Sequence, residues 1–169
     1  MDVTATGRGL TAVEVLGALA ALTGCGGSGD GAAAGGSAAP TVTVQIGDQR
    51  LQIDPTQYCL DGDGQRYGTL PPIVEALPDT SITFTVSDAV AAAGWSVQVF
   101  DEQLKELIGE VEVGPETTVF DGITTSDVVP PTFYLVVVED TDPEACSGLS
   151  GAWPVGFIRA ATGTPSATP

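Results

Sequence analysis

The chain has 169 residues, 22 of them acidic against five basic, for a net charge of −17 at neutral pH. It has no histidine, which removes Ser-His-Asp and Cys-His catalysis and every histidine metal site at once. So acidic a chain is repelled by nucleic acid, whose binding depends on Lys and Arg releasing counterions, so nucleic acid is excluded as a partner.

Residues 1–24 have the order of a secretory signal: Arg8 as a sparse basic segment, an apolar run from Val15 to Leu22, then small residues. The run is far shorter than the roughly 20 apolar residues that span a bilayer. Leu22-Thr23-Gly24-Cys25 then reads as a bacterial lipobox, with Cys25 the acylated first residue of the mature protein. The competing reading is a buried helix with an incidental cysteine, and the segment that follows argues against it. Residues 25–40 are rich in Gly, Ala and Ser and have no large apolar side chain, so they form a flexible tether that cannot offset its ordering entropy. Losing Asp2, Glu14 and Arg8 with the signal leaves 20 acidic and four basic residues, a mature charge of −16. An anionic membrane surface would repel that domain, so membrane residence must come from acyl chains on Cys25.

The next 120 or so residues, 41–160, are enough for one domain with a real core. Residues 41–46 place Val42, Val44 and Ile46 on one face, and Leu51 and Ile53 follow a three-residue Gly47-Asp48-Gln49 loop, which predicts a hairpin. Residues 81–87 place Ile82, Phe84 and Val86 on one face, residues 88–93 suit about one turn of helix, and residues 95–101 place Trp95, Val97 and Val99 inward. Trp95 reads as the centre of the core, with an exposed recognition residue as the alternative. Strands over 107–113 and 117–120 flank the Gly114-Pro115 turn. The unbroken apolar run 133–138 predicts a central strand covered on both faces. Residues 152–159 form the last strand, with Pro154 restricting it to an edge or bulge. These elements predict a single all-β domain, an antiparallel immunoglobulin-like β-sandwich of seven to nine strands, followed by a disordered tail over 161–169.

Assigning Cys25 to lipid leaves Cys59 and Cys146, an even set in an oxidising compartment, which favours a disulfide over two buried thiols. Such a bridge would draw Asp61 and Asp63 towards Asp142 and Glu144, with Glu139 and Asp140 further off. Clusters of carboxylate oxygens suit calcium, so these four are candidate ligands of a weak site, with plain solvated loops as the competing reading. The spacing is not that of an EF-hand, because Arg66 stands where the sharp-turn glycine belongs.

The order of parts resembles a known family. The tether, then residues 40–44, then Asp54-Pro55-Thr56-Gln57-Tyr58-Cys59, a Leu-Pro segment, an alternating Ser-rich strand and Gly94-Trp95 are similar to the actinobacterial lipoproteins grouped as domain of unknown function 2771. The resemblance runs from about residue 40 to 114 and implies a lipoprotein without an assigned activity, so it carries over no catalytic residue. In that family the second cysteine is expected earlier in the chain than Cys146.

Together these readings predict a non-catalytic, lipid-anchored envelope protein, exported to the outer face of the cytoplasmic membrane, that binds or supports another envelope component, such as an envelope protein. A carrier of an apolar small molecule or a metal ion between its sheets is the alternative. A carboxylate hydrolase is the third reading, and the residues single out no acid–base pair.

Overall fold

The computed structural model describes residues 38–142 and 144–161. The predicted signal peptide, Cys25, most of the tether and nearly all of the tail lie outside them.

The first hairpin joins β1 (Val42–Ile46) to β2 (Gln49–Ile53), with Ile46 opposite Gln49. The loop is therefore two residues and not three, and Gly47 takes its first position at φ 53°, where a side chain would be strained. β3 (Gln57–Leu60) and β4 (Asp63–Arg66) form a second hairpin. β5 (Ile73–Ala76) and β6 (Ser81–Thr85) lead into helix α1 (Asp88–Ala93). Ser87 caps α1 by accepting from the Val90 amide, and Gly94 ends it at φ 90°. Then come β7 (Trp95–Phe100), β8 (Leu107–Val113), β9 (Val119–Thr124), β10 (Thr132–Glu139), a short 3-10 turn at Ala145–Gly148 and β11 (Ala152–Arg159).

These strands form two sheets, one in the order β2-β1-β6-β9 and the other β4-β3-β11-β10-β7-β8, with β5 also on β11. The chain passes from β6 through α1 to β7, turns back as β8, crosses to β9, crosses again to β10 and returns as β11. That order fits the immunoglobulin-like sandwich expected from the sequence.

Three expectations need correction. There are eleven strands among the described residues, because β3, β4 and β5 carry no clean alternation of apolar side chains. The sandwich is not wholly antiparallel, since β5 lies parallel to β11 from Gly156 opposite Ile73 onward. β11 is not an edge strand, because β10 pairs with it on one side and β3 and β5 pair with it on the other. Its Pro154 is tolerated for a local reason. Ala152 O accepts from Thr56 N on the β3 side, and Gly156 N donates to Pro72 O on the β5 side. Pro154 has the same parity, so its nitrogen, which has no hydrogen to donate, points into the gap between β3 and β5.

The space between the sheets is filled. Phe84, Trp95, Phe133, Trp153 and Phe157 are all at most 1% exposed, and burying each contributes about 2–3 kcal/mol. Phe133 and Phe157 stack with centroids 5.2 Å apart, and Phe120 meets Trp95 edge-on at 6.4 Å. Each indole N–H has a carbonyl partner, Thr117 O at 2.7 Å for Trp95 and Pro40 O at 2.8 Å for Trp153. Trp95 is thus a core residue, as its place in an inward stripe predicts.

Candidate functional site

β10 lies between β7 and β11, and its outward side chains decide the character of the larger sheet's free face. Val136 is only 7% exposed although it points away from the sandwich core. It and Val138 form the floor of a groove of about 500 Å³, together with Phe100 of β7 and Ala152 and Pro154 of β11. Leu104 and Pro71 add apolar walls, and Thr56, Gln57, Gln98, Gly148 and Ser150 complete the lining. Among the described residues no charged side chain lines it. The volume lies in the range of small-molecule pockets, which are mostly apolar with a few convergent polar groups.

Each wall is held in place locally. Asp101 Oδ1 accepts from the amides of Lys105 and Glu106, at 2.7 and 3.2 Å, and these donors hold its carboxyl below the usual aspartate range. That tight loop presents Leu104, itself at φ 55°, over Phe100. On the opposite side Gln57 Nε2 donates to Ser150 O at 3.0 Å, and the hydroxyls of Thr141 and Ser150 lie 2.8 Å apart. Thr56 N donates to Ala152 O at 2.9 Å, and Tyr67 N donates back to Thr56 O at 2.8 Å.

Cys59 and Cys146 are joined in a disulfide, their Cα atoms 5.6 Å apart. The expected bridge is present, and its position matters to the groove. Cys59 lies two residues after Gln57 and Cys146 two residues before Gly148, so the bond staples two lining segments to each other. Cys146 and Ser147 take left-handed φ values of 48° and 57° within the 3-10 turn.

Bridge formation does bring the acidic segments to one end of the domain. Asp61, Asp63, Asp142 and Glu144 are nevertheless all exposed, and among the described residues no three metal-binding side chains converge on one point. Asp63 Oδ2 accepts from Gln65 Nε2 and Asp142 Oδ1 from the Glu144 amide. Asp61 and Gly62, with φ of 51° and 82°, form the two-residue turn between Leu60 and Asp63. Their job there is to close a hairpin, for which Asp-Gly is a preferred pair.

Glu139 behaves differently from the other acids near the bridge. It continues the inward stripe Phe133, Leu135, Val137 and sits opposite Trp95 in the ladder, only 6% exposed. Burial, with Asp140 beside it, pushes its carboxyl up to about 7. Gly151 is required alongside, because a Cβ there would lie 2.8 Å from Glu139 Oε2 and 2.5 Å from the Trp153 ring. Tyr58, whose hydroxyl is also raised, first by its own burial and then by the Glu139 charge, closes the cluster against Trp153 at 5.8 Å. A desolvated carboxylate invites a catalytic reading. Glu139 however faces the core end of the sandwich and does not line the groove.

No protein-family model, curated protein or solved structure matches this chain.

Proposed function

We propose that this chain is a non-catalytic lipoprotein of the cell envelope, exported, acylated at Cys25 and tethered above the membrane, whose β-sandwich carries an apolar small molecule. The observation that carries the ligand reading is the groove of about 500 Å³ over β7, β10 and β11, with its apolar floor and uncharged lining. A support protein that binds only another protein has no need of a concave, neutral cleft on an otherwise strongly acidic surface. The ligand's place would be the outer face of the larger sheet, not the packed space between the sheets. The lipobox at Leu22 to Cys25 supports the address, and the Cys59–Cys146 bridge suits an oxidising compartment. Among the described residues no helix is long and apolar enough to cross a membrane.

An envelope-protein partner is the second reading, favoured by the open edge of β8, where Leu107, Ile108 and Val111 are exposed.

Native purification followed by mass spectrometry tests the first reading: an organic molecule with an apolar body is expected at near-stoichiometric level. A chain that emerges ligand-free and takes up no apolar probe would leave the carrier reading without support. Palmitate labelling tests the anchor, and a Cys25→Ala variant that still labels would refute it.

A further inference from the structure

The floor of the groove is neutral, but its β8 rim is not. Glu110 on β8 lies opposite Gln98 on β7, and Gln98 lines the groove. Glu110 Oε1 accepts from Gln98 Nε2 at 2.9 Å and from Ser96 Oγ at 2.8 Å. Ser96 is only 2% exposed, so this anchor is built into the sheet and is not a chance surface contact. The two donors favour the ionised form and hold the carboxyl below its ordinary range. Glu110 is therefore a fixed negative charge beside the mouth of an apolar cleft.

The polar groups of the lining itself are neutral and partly engaged with one another. Gln57 Nε2 is engaged by Ser150 O, Gln98 Nε2 by Glu110 and the Thr56 hydroxyl by Ala152 O. Each glutamine amide keeps a second N–H, and the two glutamine carbonyl oxygens and the second Glu110 oxygen remain to accept, so the sign of the rim is set by the Glu110 carboxylate. The adjoining loop adds Asp101, Glu102 and Glu106, and its single cation, Lys105, is turned to Gln103 Oε1. A bound molecule thus meets an apolar floor and a rim that accepts hydrogen bonds and carries negative charge. An anionic amphiphile would meet repulsion at that rim.

We infer that the groove selects a cationic amphiphile, laying its apolar chain across Phe100, Val136 and Val138 and seating a primary ammonium against Glu110. This rests on the groove being a ligand site, and the test separates the two claims. Decylamine, decanol and decanoate, each below its micelle concentration, are titrated against the mature chain by calorimetry. The amine is expected to bind about tenfold or more tighter than the alcohol, the scale of a charge-assisted hydrogen bond, with decanoate weakest. Glu110→Gln should bring the amine to within about twofold of the alcohol and leave the alcohol unchanged. Asp48→Asn, in the β1–β2 turn of the other sheet, should leave the amine preference intact. Equal binding of all three, or an equal loss of preference in Asp48→Asn, overturns the cation assignment while the groove reading stands. If none of the three binds, the groove reading fails and takes the assignment with it.

Discussion

Replacing Cys59 and Cys146 together by alanine is expected to destabilise the domain by about 2–5 kcal/mol and to lower its melting temperature by about 10–20 °C. The bridged residues are 87 apart in sequence, so the bond closes a long loop of the unfolded chain. The chain-entropy model gives about 4–5 kcal/mol for a loop of that length. The folded state should survive the loss, because Trp95, Trp153 and the stacked phenylalanines pack without help from the bridge. The groove should suffer more than the fold. With the staple gone, those two walls are left to the Gln57–Ser150 and Thr56–Ala152 hydrogen bonds and to packing of Leu149 against Gly64. Urea titration with and without reductant, paired with binding of an apolar probe, measures both effects. A loss of stability below about 1 kcal/mol would show that the bridge adds little to a sandwich already closed by its core.

Stability is expected to fall by about 2–3 kcal/mol between mildly acidic pH and pH 8, with Glu139 as the cause. Its carboxyl titrates near the usual 4.5 in the unfolded chain and at about 7 in the folded one. Below the lower value both states are protonated and the folded state bears no penalty. As pH rises through the window the unfolded chain ionises first, and the advantage is fully lost above the folded value. Asp140 beside it and Tyr58 across from it are the titratable groups facing this carboxyl. Asp101, Glu110 and Asp127 act in the opposite sense, because hydrogen bonds hold their carboxyls low. Their stabilisation is present above the ordinary carboxylate range and is lost as pH falls through their depressed values. The two trends put the stability maximum at mildly acidic pH. Glu139→Gln keeps the volume and removes the charge, so it should flatten the curve between pH 5 and 8 and be more stable than the parent at pH 8. Urea midpoints across that range provide the check, and a parent curve that stays flat or rises would refute the assignment.

The strands that bury one face were legible because their alternation records which face is buried. Ile82, Phe84 and Val86 are such a stripe, as are Val42, Val44 and Ile46, and all six are buried. The β3–β4 hairpin was not, because Asp63-Gly64-Gln65-Arg66 has no apolar member and its partner only half-buries Tyr58 and Leu60. Its one signal was Asp61-Gly62, a turn pair that also resembles the start of a calcium loop. Pro154 misled for a different reason, since its missing donor points into a gap between two neighbours that no local pattern reveals. The run 133–138 correctly marked a central strand, but the second sheet covers only its inward face, and outward Tyr134 and Val138 are only half-buried. What the run could not show is that its outward valines floor a groove, because the walls come from residues 56–57, 71, 104 and 148–150. Only the register of five strands and the bridge bring those segments together.

The carrier reading is tested most directly by mapping where an apolar ligand binds. Amide shifts of the isotope-labelled mature chain, followed during titration with decanol or decylamine, should move at Gln98, Phe100, Val136, Val138 and Ala152, with Ile82 and Phe84 in the other sheet unmoved. Saturable shifts confined to that outer face are the predicted result. Shifts centred elsewhere, or none before the ligand forms micelles, would contradict it.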